Sequence, residues 1–427
     1  MRAPLALLAL VLGATALKAN GRSAAEVMLS DGVVWLATAA RGEVTQLNAE
    51  GEVTARVTVA SPGAPLELAQ AGADALVLNR ATGEVGVVDG AALDYGPTTV
   101  FGGNGADTVL IANGGQPYVL DAAAGRVRAL NPDTVAVAGE ATLSPPLTAS
   151  AVDSSGVLWA AVQATGEVAS VSGDGRHTRR QVADRQGDAP IVVALADDRP
   201  YVVNPLTSEI RALGEDGGLG APLCPNLEAD ELLGAAVTGT EPGEHPRLFA
   251  LVAKRAQLLS IDLKSRSCTR LTIGPAGDDF GEPTTAGGAV FIPDVTRGHV
   301  VVIDAATNVI TRNAPVVRQG EPFELVRDEG VVWYNSLSGP EAGVINPDGS
   351  VERSEKYKDQ ARPAFGTRTG AAGAGGPGAE AGGGEPLSTS GTTRDGRGNA
   401  QGTGGGTADG AGAAGGGAGS GGAGAGG

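Results

Sequence analysis

The sequence predicts an all-β fold, a β-propeller of eight four-stranded blades. A bulky residue recurs along the chain at intervals of 41 or 42 residues, with one interval of 48. A fixed period in this range is typical of propeller blades and solenoid units. Each bulky residue lies in a short run of β-branched or aromatic residues, which favours a strand. We take these eight residues as the anchors of the repeat: Trp35, Leu76, Tyr118, Trp159, Tyr201, Phe249, Phe291 and Trp333.

A turn is predicted seven residues after each anchor, where glycine stands in five of the eight copies. Glycine suits a turn that needs positive φ. The other copies have Ser208, Ala256 and Pro340, so we expect those three hairpins to turn in a different conformation. Thirteen residues after each anchor a small or turn-forming residue ends the second strand of the hairpin. These residues are Asn48, Asp89, Asn131, Ser172, Gly214, Asp262, Asp304 and Asn346.

The rest of each period has room for two more strands. Val53–Val59 is an example of an outer strand, and Leu66–Ala71 and Ile191–Ala196 are examples of inner strands. Four strands in about 42 residues make one blade. Eight blades of this size occupy residues 24–358, and seven blades plus a divergent unit is the alternative.

The copy at Phe291–Ile310 reads FIPD and then VVVIDAATNVI. It resembles the YVTN-type propeller repeat and the wider virginiamycin B lyase-like group. The resemblance covers the propeller alone, and it implies many blades with ligand or partner sites on one face. The layout is also similar to actinobacterial envelope proteins that join a signal segment, a propeller and a fibronectin type III module, although no such module follows the propeller here.

Both ends of the sequence differ in composition from the repeats. Residues 1–19 have a basic Arg2 and then a largely apolar run, which predicts a secretory signal helix. An uncleaved signal-anchor is the alternative, although the run is short for a spanning helix. Residues 359–427 are rich in glycine and alanine, which predicts a disordered tail. The protein is therefore expected to be secreted, or anchored outside the cytoplasmic membrane.

Charge and cysteine content narrow the classes of partner and site. The chain has 31 basic and 48 acidic residues, a net charge of −17. This charge disfavours nucleic acids and anionic membrane surfaces and favours cationic partners. The two cysteines, Cys224 and Cys268, form no zinc-binding pattern. In an exported protein they either form a disulfide between the outer parts of blades five and six, or remain free thiols.

A ring of polar residues is predicted on one face of the propeller, three residues after the anchors. The ligand-binding candidates are Asn79, Asp121, Asn204, Asp294 and Ser336, with Thr38 in the first blade and Val162 and Val252 as interruptions. Acidic residues in the connections from outer to inner strands are expected on the same face: Asp107, Asp184, Asp188, Asp278, Asp279, Glu282 and Glu321. The alternative is that the ring side chains hydrogen-bond their own turns.

The sequence offers little for catalysis. A lyase of the virginiamycin B type calls for a histidine base beside a metal-binding acidic set, and His299 is the weak candidate for that base. No catalytic motif accompanies it. The predicted function is therefore a non-enzymatic, exported propeller that serves as an interaction scaffold for a protein or cell-wall component at the envelope, without a cofactor. A metal-assisted lyase or hydrolase that uses the central pocket, with a divalent cation, is the alternative.

Overall fold

The computed structural model describes most of the predicted propeller. The described residues are 33–357, with gaps at 102–106, 114, 184–189, 215, 229–230, 243–244 and 329. The predicted signal helix, the glycine-rich tail and the inner strand of the first blade lie outside these residues.

The described strands form eight antiparallel sheets, so the fold is the predicted eight-bladed β-propeller. Each sheet takes its strands in chain order from the central channel outward. The described inner strands are β4 (Leu66–Ala71), β8 (Thr108–Asn113), β12 (Leu147–Val152), β16 (Val192–Ala196), β19 (Ala236–Gly239), β23 (Thr284–Ala286) and β27 (Phe323–Asp328). The second strands carry the anchors and are β1 (Val34–Thr38), β5 (Asp74–Asn79), β9 (Gln116–Asp121), β13 (Leu158–Val162), β17 (Arg199–Asn204), β20 (Arg247–Val252), β24 (Ala289–Asp294) and β28 (Val331–Ser336).

The third and outer strands complete the blades. The third strands are β2 (Glu43–Leu47), β6 (Glu84–Asp89), β10 (Arg126–Leu130), β14 (Glu167–Val171), β18 (Glu209–Ala212), β21 (Gln257–Asp262), β25 (His299–Asp304) and β29 (Glu341–Ile345). The outer strands are β3 (Val53–Thr58), β7 (Asp94–Val100), β11 (Val137–Thr142), β15 (His177–Gln181), β22 (Cys268–Thr272), β26 (Val309–Pro315) and β30 (Val351–Glu355). A 3-10 helix at Ala253–Arg255 forms the hairpin turn of the sixth blade.

The apolar core is divided among the eight interfaces between neighbouring blades. Each interface has its own cluster of buried aliphatic and aromatic side chains. The cluster between the last and first blades joins Trp333 and Val344 to Val34, Leu36 and Leu47. Because this cluster links the two ends of the repeat array, the ring is closed, and eight blades rather than seven account for the repeat.

One backbone hydrogen bond recurs in seven blades and fixes where each hairpin turn lies. The carbonyl at the predicted turn position accepts a bond from the first residue after the outer strand, at 2.8–3.0 Å. The donor–acceptor pairs are Val59–Gly42, Phe101–Gly83, Leu143–Gly125, Val182–Gly166, Ile273–Ala256, Val316–Gly298 and Lys356–Pro340. Each turn is therefore held against the chain that leaves its own blade.

The prediction that the hairpins at Ser208 and Ala256 turn differently is wrong. Their φ angles are +53° and +48°, in the same left-handed region as Gly298 at +68°. The recurring contact explains this for Ala256, because its carbonyl keeps the common bond to Ile273. In the fifth blade the Ser208 hydroxyl accepts from the Leu232 amide instead, at 3.2 Å. Tertiary contacts thus impose a conformation that residue type alone does not favour.

The fifth blade has an irregular outer segment in place of a fourth regular strand. Leu219 forms an isolated bridge with Leu213, and the amides of Gly220 and Leu223 bond the carbonyls of Ala212 and Ile210. This segment belongs to the longer interval that the anchor spacing revealed.

The predicted disulfide is present and joins this irregular segment to the next blade. Cys224 is bonded to Cys268, with their Cα atoms 6.0 Å apart. Cys268 is the first residue of β22, the outer strand of the sixth blade. The bond therefore links the outer parts of blades five and six.

A buried lysine completes the closure of the ring. Six other blades have an apolar residue at the position just after the outer strand, whereas the eighth blade has Lys356, which is fully buried. Its Nζ donates to Ala37 O at 3.2 Å in the first blade, and to Asn335 Oδ1 at 2.7 Å and Ser336 O at 2.6 Å in the eighth. Burial lowers the pKa of Lys356 to about 8, against the opposing effect of Glu324 and other nearby carboxylates.

We expect Gly298→Ala to destabilise the fold strongly and Gly288→Ala to do so weakly. Both glycines have positive φ, +68° and +77°. A Cβ on Gly298 would clash with the carbonyl oxygens of Val317 and Arg318, whereas one on Gly288 meets no atom within 4 Å. The conformational cost alone is about 1 kcal/mol, and the clash adds roughly 2 kcal/mol. Urea unfolding of both variants measures this difference, and equal losses would contradict the packing.

We expect Lys356→Met to remove a dependence of stability on pH. The pKa of Lys356 is about 8 in the folded protein, below the ordinary value of 10.5. Between these values the unfolded chain binds more protons, so the unfolding free energy of the native protein rises with pH across this interval. The native protein should gain up to about 3 kcal/mol relative to the variant.

Urea unfolding at pH values from about 7 to about 10 measures this gain. Lys254→Met is the matched control, because Lys254 is exposed and should leave the pH dependence unchanged. A constant difference between native protein and Lys356→Met would show that Lys356 is not buried as described.

Candidate functional site

One face of the propeller carries the predicted polar ring. We call it the hairpin face, and define it by the turns between second and third strands together with the connections from outer strands to the next inner strands. The ring position is the last residue of every second strand, from Thr38 in β1 to Ser336 in β28. The spacing of the anchors therefore located this ring correctly.

The ring side chains bond to their own hairpin turns. Asn79 Oδ1 accepts from Ala81 N at 3.0 Å, and Asp121 Oδ1 accepts from Ala124 N at 2.9 Å. Asn204 Oδ1 accepts from Leu206 N at 3.1 Å. These bonds are the Asx turns that the sequence offered as the alternative interpretation. Ligand binding by these residues stays a prediction.

The two remaining ring candidates are buried and lie beside charged residues of the connections. Asp294 Oδ1 accepts from Arg297 N at 3.0 Å. Ser336 Oγ accepts from Gly339 N at 2.8 Å and donates to Glu321. Burial raises the pKa of Asp294, and the negative charge of Asp278 adds to this effect.

The cluster around Asp294 also contains the weak catalytic candidate. His299 lies directly opposite Asp294 in the β24–β25 register. Arg297 Nε pairs with Asp278 Oδ2 at 3.0 Å and lies 3.7 Å from Asp294 Oδ2. Arg297 therefore lies between the carboxylates of Asp278 and Asp294, and Asp294 is the one opposite His299.

The acidic connections do not converge on one point. Glu321 pairs with Arg318 at 3.2 Å on the connection into the eighth blade. Asp107 and Asp279 offer backbone groups to neighbouring turns, since Asp107 O accepts from Ala122 N and Asp279 N donates to Thr296 Oγ1. Asp184 and Asp188 lie outside the described residues. Among the described members of this set, Glu282 alone borders the central cavity.

The central cavity opens on the hairpin face and has a volume of about 830 Å³. Ligand cavities in proteins typically measure about 300–1,000 Å³. Its wall is mainly aliphatic, and no aromatic side chain is among the described residues that form it. Blades three, five and six contribute much of this wall, through Val109, Ile111, Val192, Leu232, Leu233 and Val237.

Two exposed residues of opposite charge stand among the described lining of the cavity, Lys254 and Glu282. Lys254 lies in the 3-10 helix of the sixth hairpin turn, and Glu282 lies two residues before β23. Leu233 is 47% exposed and lines the cavity, so it places apolar surface there.

A second cavity of about 500 Å³ lies at the opposite end of the channel. It shares Val193, Val237 and Thr238 with the first cavity, so the two are stacked along the channel. Its lining is more polar and includes Asp198 and the ion pair between Arg327 and Glu241, at 3.2 Å.

Glutamates on one side of the channel occupy the same position of the repeat, nine residues before an anchor. They are Glu67, Glu282 and Glu324, in blades two, seven and eight. Val109 and Val192 have this position in blades three and five. The channel is thus acidic on one side and aliphatic on the other.

Two of these glutamates belong to inner strands, Glu67 to β4 and Glu324 to β27, and the charge of Glu67 affects the pKa of Glu324. Burial raises the pKa of Glu324 and of Glu67, and the charge of Glu67 contributes to the rise at Glu324. Glu67 Oε1 accepts from Leu110 N at 2.9 Å, and Arg80 Nε lies 3.2 Å from its Oε2. Glu324 Oε1 accepts from Asn335 Nδ2 at 2.8 Å.

The described residues offer neither a metal-binding cluster nor a membrane-spanning helix. They contain no group of three or more histidine, cysteine or acidic side chains arranged to hold a metal ion. In the same part of the chain, no helix has the length and apolar character needed to cross a membrane.

The sequence named a central pocket as the site of the alternative function, but it did not identify the residues that line the cavity. Their main signals are weak in one dimension: a repeat position that holds glutamate in blades two, seven and eight and valine in blades three and five, and the leucine pair Leu232–Leu233 inside a polar insertion. Lys254 stands in a turn and has no sequence feature that marks it.

The chain was compared with known proteins. No protein-family model matches it, and no curated protein matches it. Among solved structures it is similar to the dihydro-heme d1 dehydrogenase NirN in complex with DHE, at 14% identity over 76% of this chain and 73% of that chain, with a TM-score of 0.58. It is also similar to apo AztD from Citrobacter koseri, at 11% identity over 75% and 92% of the two chains, with a TM-score of 0.53.

The virginiamycin B lyase from Staphylococcus aureus also matches, at 12% identity over 64% of this chain and 91% of that chain, with a TM-score of 0.49. Identities this low show a shared fold and nothing about activity. The similarities to NirN and AztD confirm the resemblance to propeller repeats at the level of fold. The similarity of layout to envelope proteins with a fibronectin type III module stays a prediction.

We expect Asn204→Ala to lower the unfolding free energy by about 1 kcal/mol, because the backbone amides of Leu206 and Thr207 lose their shared acceptor. Asn204→Asp keeps an acceptor oxygen at the same place and should retain most of the stability. Urea unfolding of the two variants measures the difference. Equal stabilities of native protein and Asn204→Ala would show that the side chain does not hold the turn.

Proposed function

We propose that this protein is an exported, non-enzymatic binding module that takes a basic, aliphatic segment of a partner protein into its central cavity. The partner would stand at the cell envelope. The observation that carries the proposal is the cavity on the hairpin face, which has an aliphatic wall and has Glu282 among its described lining residues.

The aliphatic wall favours a ligand with leucine-like or valine-like groups. Burial of apolar surface contributes about 25 cal/mol for each Å² removed from water. Val109, Val192 and Leu233 offer such surface within one cavity. The inner strands β16 and β19 border the same space and are the last strands of their sheets, so their backbone edges are available to an extended peptide.

The balance of charge favours a basic ligand over an acidic one. Glu282 borders the cavity, and Glu67 and Glu324 occupy the same repeat position on the neighbouring side of the channel. Lys254 is an exposed cation in the cavity lining that opposes Glu282, and Arg80 lies 3.2 Å from Glu67. The net charge of −17 acts in the same direction, since it attracts a cationic partner during encounter.

Export is supported by the apolar leader and by the disulfide. Residues 1–19 have the composition of a secretory signal. Disulfides form and persist mainly in oxidising compartments outside the cytoplasm, and Cys224 and Cys268 are the two cysteines of the chain.

The hydrogen bonds of the polar ring support a binding role rather than catalysis. Asn79, Asp121 and Asn204 direct their oxygen atoms to their own turns. Asp294, beside His299, is balanced by Arg297. The polar groups of the hairpin face thus maintain its shape, which suits a rigid docking surface.

The test uses two labelled peptides, one of alternating leucine and lysine and one of alternating leucine and glutamate, in fluorescence anisotropy titrations. The apolar content is the same in both, so the comparison isolates charge. We expect the lysine peptide to bind and the glutamate peptide to bind at least about tenfold more weakly.

Two variants each remove one charge from the cavity lining, and they should change the affinity for the lysine peptide in opposite directions. Glu282→Gln should weaken binding of the lysine peptide about fivefold, and Lys254→Gln should strengthen it by a similar factor. Tighter binding of the glutamate peptide, or binding that neither variant changes, would overturn the proposal.

A further inference from the structure

We propose that the outer strand of the sixth blade positions one wall of the central cavity, and that a dithiol reductant loosens this wall by opening the Cys224–Cys268 disulfide. The inference concerns regulation of the cavity and rests on the proposed function. Its structural half can be tested without a ligand.

Three side chains spaced two residues apart hold the insertion of the fifth blade. Arg266 Nη2 donates to the carbonyls of Ala221 and Pro222, at 2.8 and 2.9 Å. Cys268 forms the disulfide with Cys224. We call Arg266, Cys268 and Arg270 the clamp.

The third clamp residue holds the end of the insertion that leads to the cavity. Arg270 Nε and Nη2 donate to the two carboxylate oxygens of Glu231, at 2.5 and 3.0 Å. Glu231 is buried, with its side chain 7% exposed. The hydrogen bonds from Arg270 hold the pKa of Glu231 below its ordinary value, so the carboxylate stays charged and paired. A fork of two parallel bonds fixes direction as well as distance.

The cavity wall begins at Leu232, directly after the clamped residue Glu231. Leu232, Leu233, Gly234 and Ala235 are consecutive lining residues, and β19 begins at Ala236. The Leu232 amide bonds Ser208 Oγ, and the Leu232 side chain is buried in the cluster between blades five and six. A shift of the clamped segment is therefore transmitted to Leu233 at the cavity.

The insertion depends on the clamp because its own backbone pairing is sparse. Regular outer strands such as β30 pair residue by residue along the third strand, over Glu341–Glu355 to Ile345–Val351. The outer segment of the fifth blade instead forms one isolated bridge and two bonds from Gly220 and Leu223. Segments with few backbone bonds open locally more readily than regular strands.

A dithiol reagent reduces the Cys224–Cys268 disulfide in two thiol–disulfide exchange steps. A thiolate of the dithiol attacks one sulfur and breaks the Cys224–Cys268 bond, and the second thiol of the reagent then displaces the protein sulfur from the mixed disulfide. The protein gains two thiols, and the reagent becomes the disulfide. Cys268 is the more accessible sulfur, since Cys224 is 6% exposed and Cys268 is half-buried.

The experiment is amide hydrogen exchange on the full chain, read by mass spectrometry of peptides that cover residues 232–239. We expect exchange in this region to accelerate about tenfold after treatment with dithiothreitol. The Cys224→Ser, Cys268→Ser double variant should match the reduced protein. Arg270→Gln should produce a smaller acceleration at the same peptides with the disulfide intact.

Arg353→Gln is the matched control. Arg353 is also an outer-strand arginine that bonds a carbonyl of the preceding blade, Pro315 O at 2.7 Å, but it has no connection to the cavity wall. It should leave exchange at residues 232–239 unchanged. Unchanged exchange after reduction would overturn the inference, and so would equal acceleration in peptides of the second blade, since the disulfide would then be a global staple.

A peptide titration separates this inference from the proposed function. If the lysine peptide binds the oxidised protein, its affinity should fall at least about threefold after reduction, in parallel with the exchange. If it binds neither form while exchange at residues 232–239 still accelerates, the positioning role of the clamp stands and the proposed ligand is wrong. Full affinity in the reduced protein would exclude control of the cavity by the disulfide.

Discussion

Every blade has two apolar faces, and only a neighbouring blade covers each of them. This constraint explains why the core consists of eight interface clusters rather than one central mass. It also explains why the ring has to close, because an open array would expose the faces of its first and last blades to water. The contact of Trp333 with Val34 and Leu36 meets this requirement. The inner strands surround the central channel, and residues of several of them line its cavity.

The residue that ends a blade makes different contacts in different blades. Val59, Leu143 and Val316 have buried apolar side chains, and their amides hold the hairpin turn of their own blade. Leu232 serves the fifth blade, where the insertion returns to the repeat and forms the cavity wall. Lys356 serves the last blade, where the neighbour to be reached is the first blade. Residues at the end of a blade therefore form either part of the cavity wall, as Leu232 does, or the closing contact, as Lys356 does.

The sequence was sufficient for the fold and for much of the hairpin face. The anchors from Trp35 to Trp333 are bulky and periodic, so they identify second strands without any tertiary information. The predicted turns failed at Ser208 and Ala256, because a hydrogen bond to the departing chain sets the backbone there. The predicted ring was located correctly, but the direction of an Asn or Asp side chain depends on local geometry that spacing does not contain. The residues of the cavity wall were not identified because the wall combines residues from several blades, and Lys356 was missed because a lone lysine normally indicates an exposed position.

The contacts of Lys356 and Trp333 with the first blade have a consequence for folding during synthesis. Lys356 follows the last strand, and its ammonium group bridges the eighth blade to Ala37 in the first. A nascent chain presents its early blades first, and the apolar surface of Val34 and Leu36 then has no permanent cover until Trp333 has been synthesised. The first blade must wait for about three hundred residues of translation, and during that time its uncovered face is the natural place for a chaperone to hold.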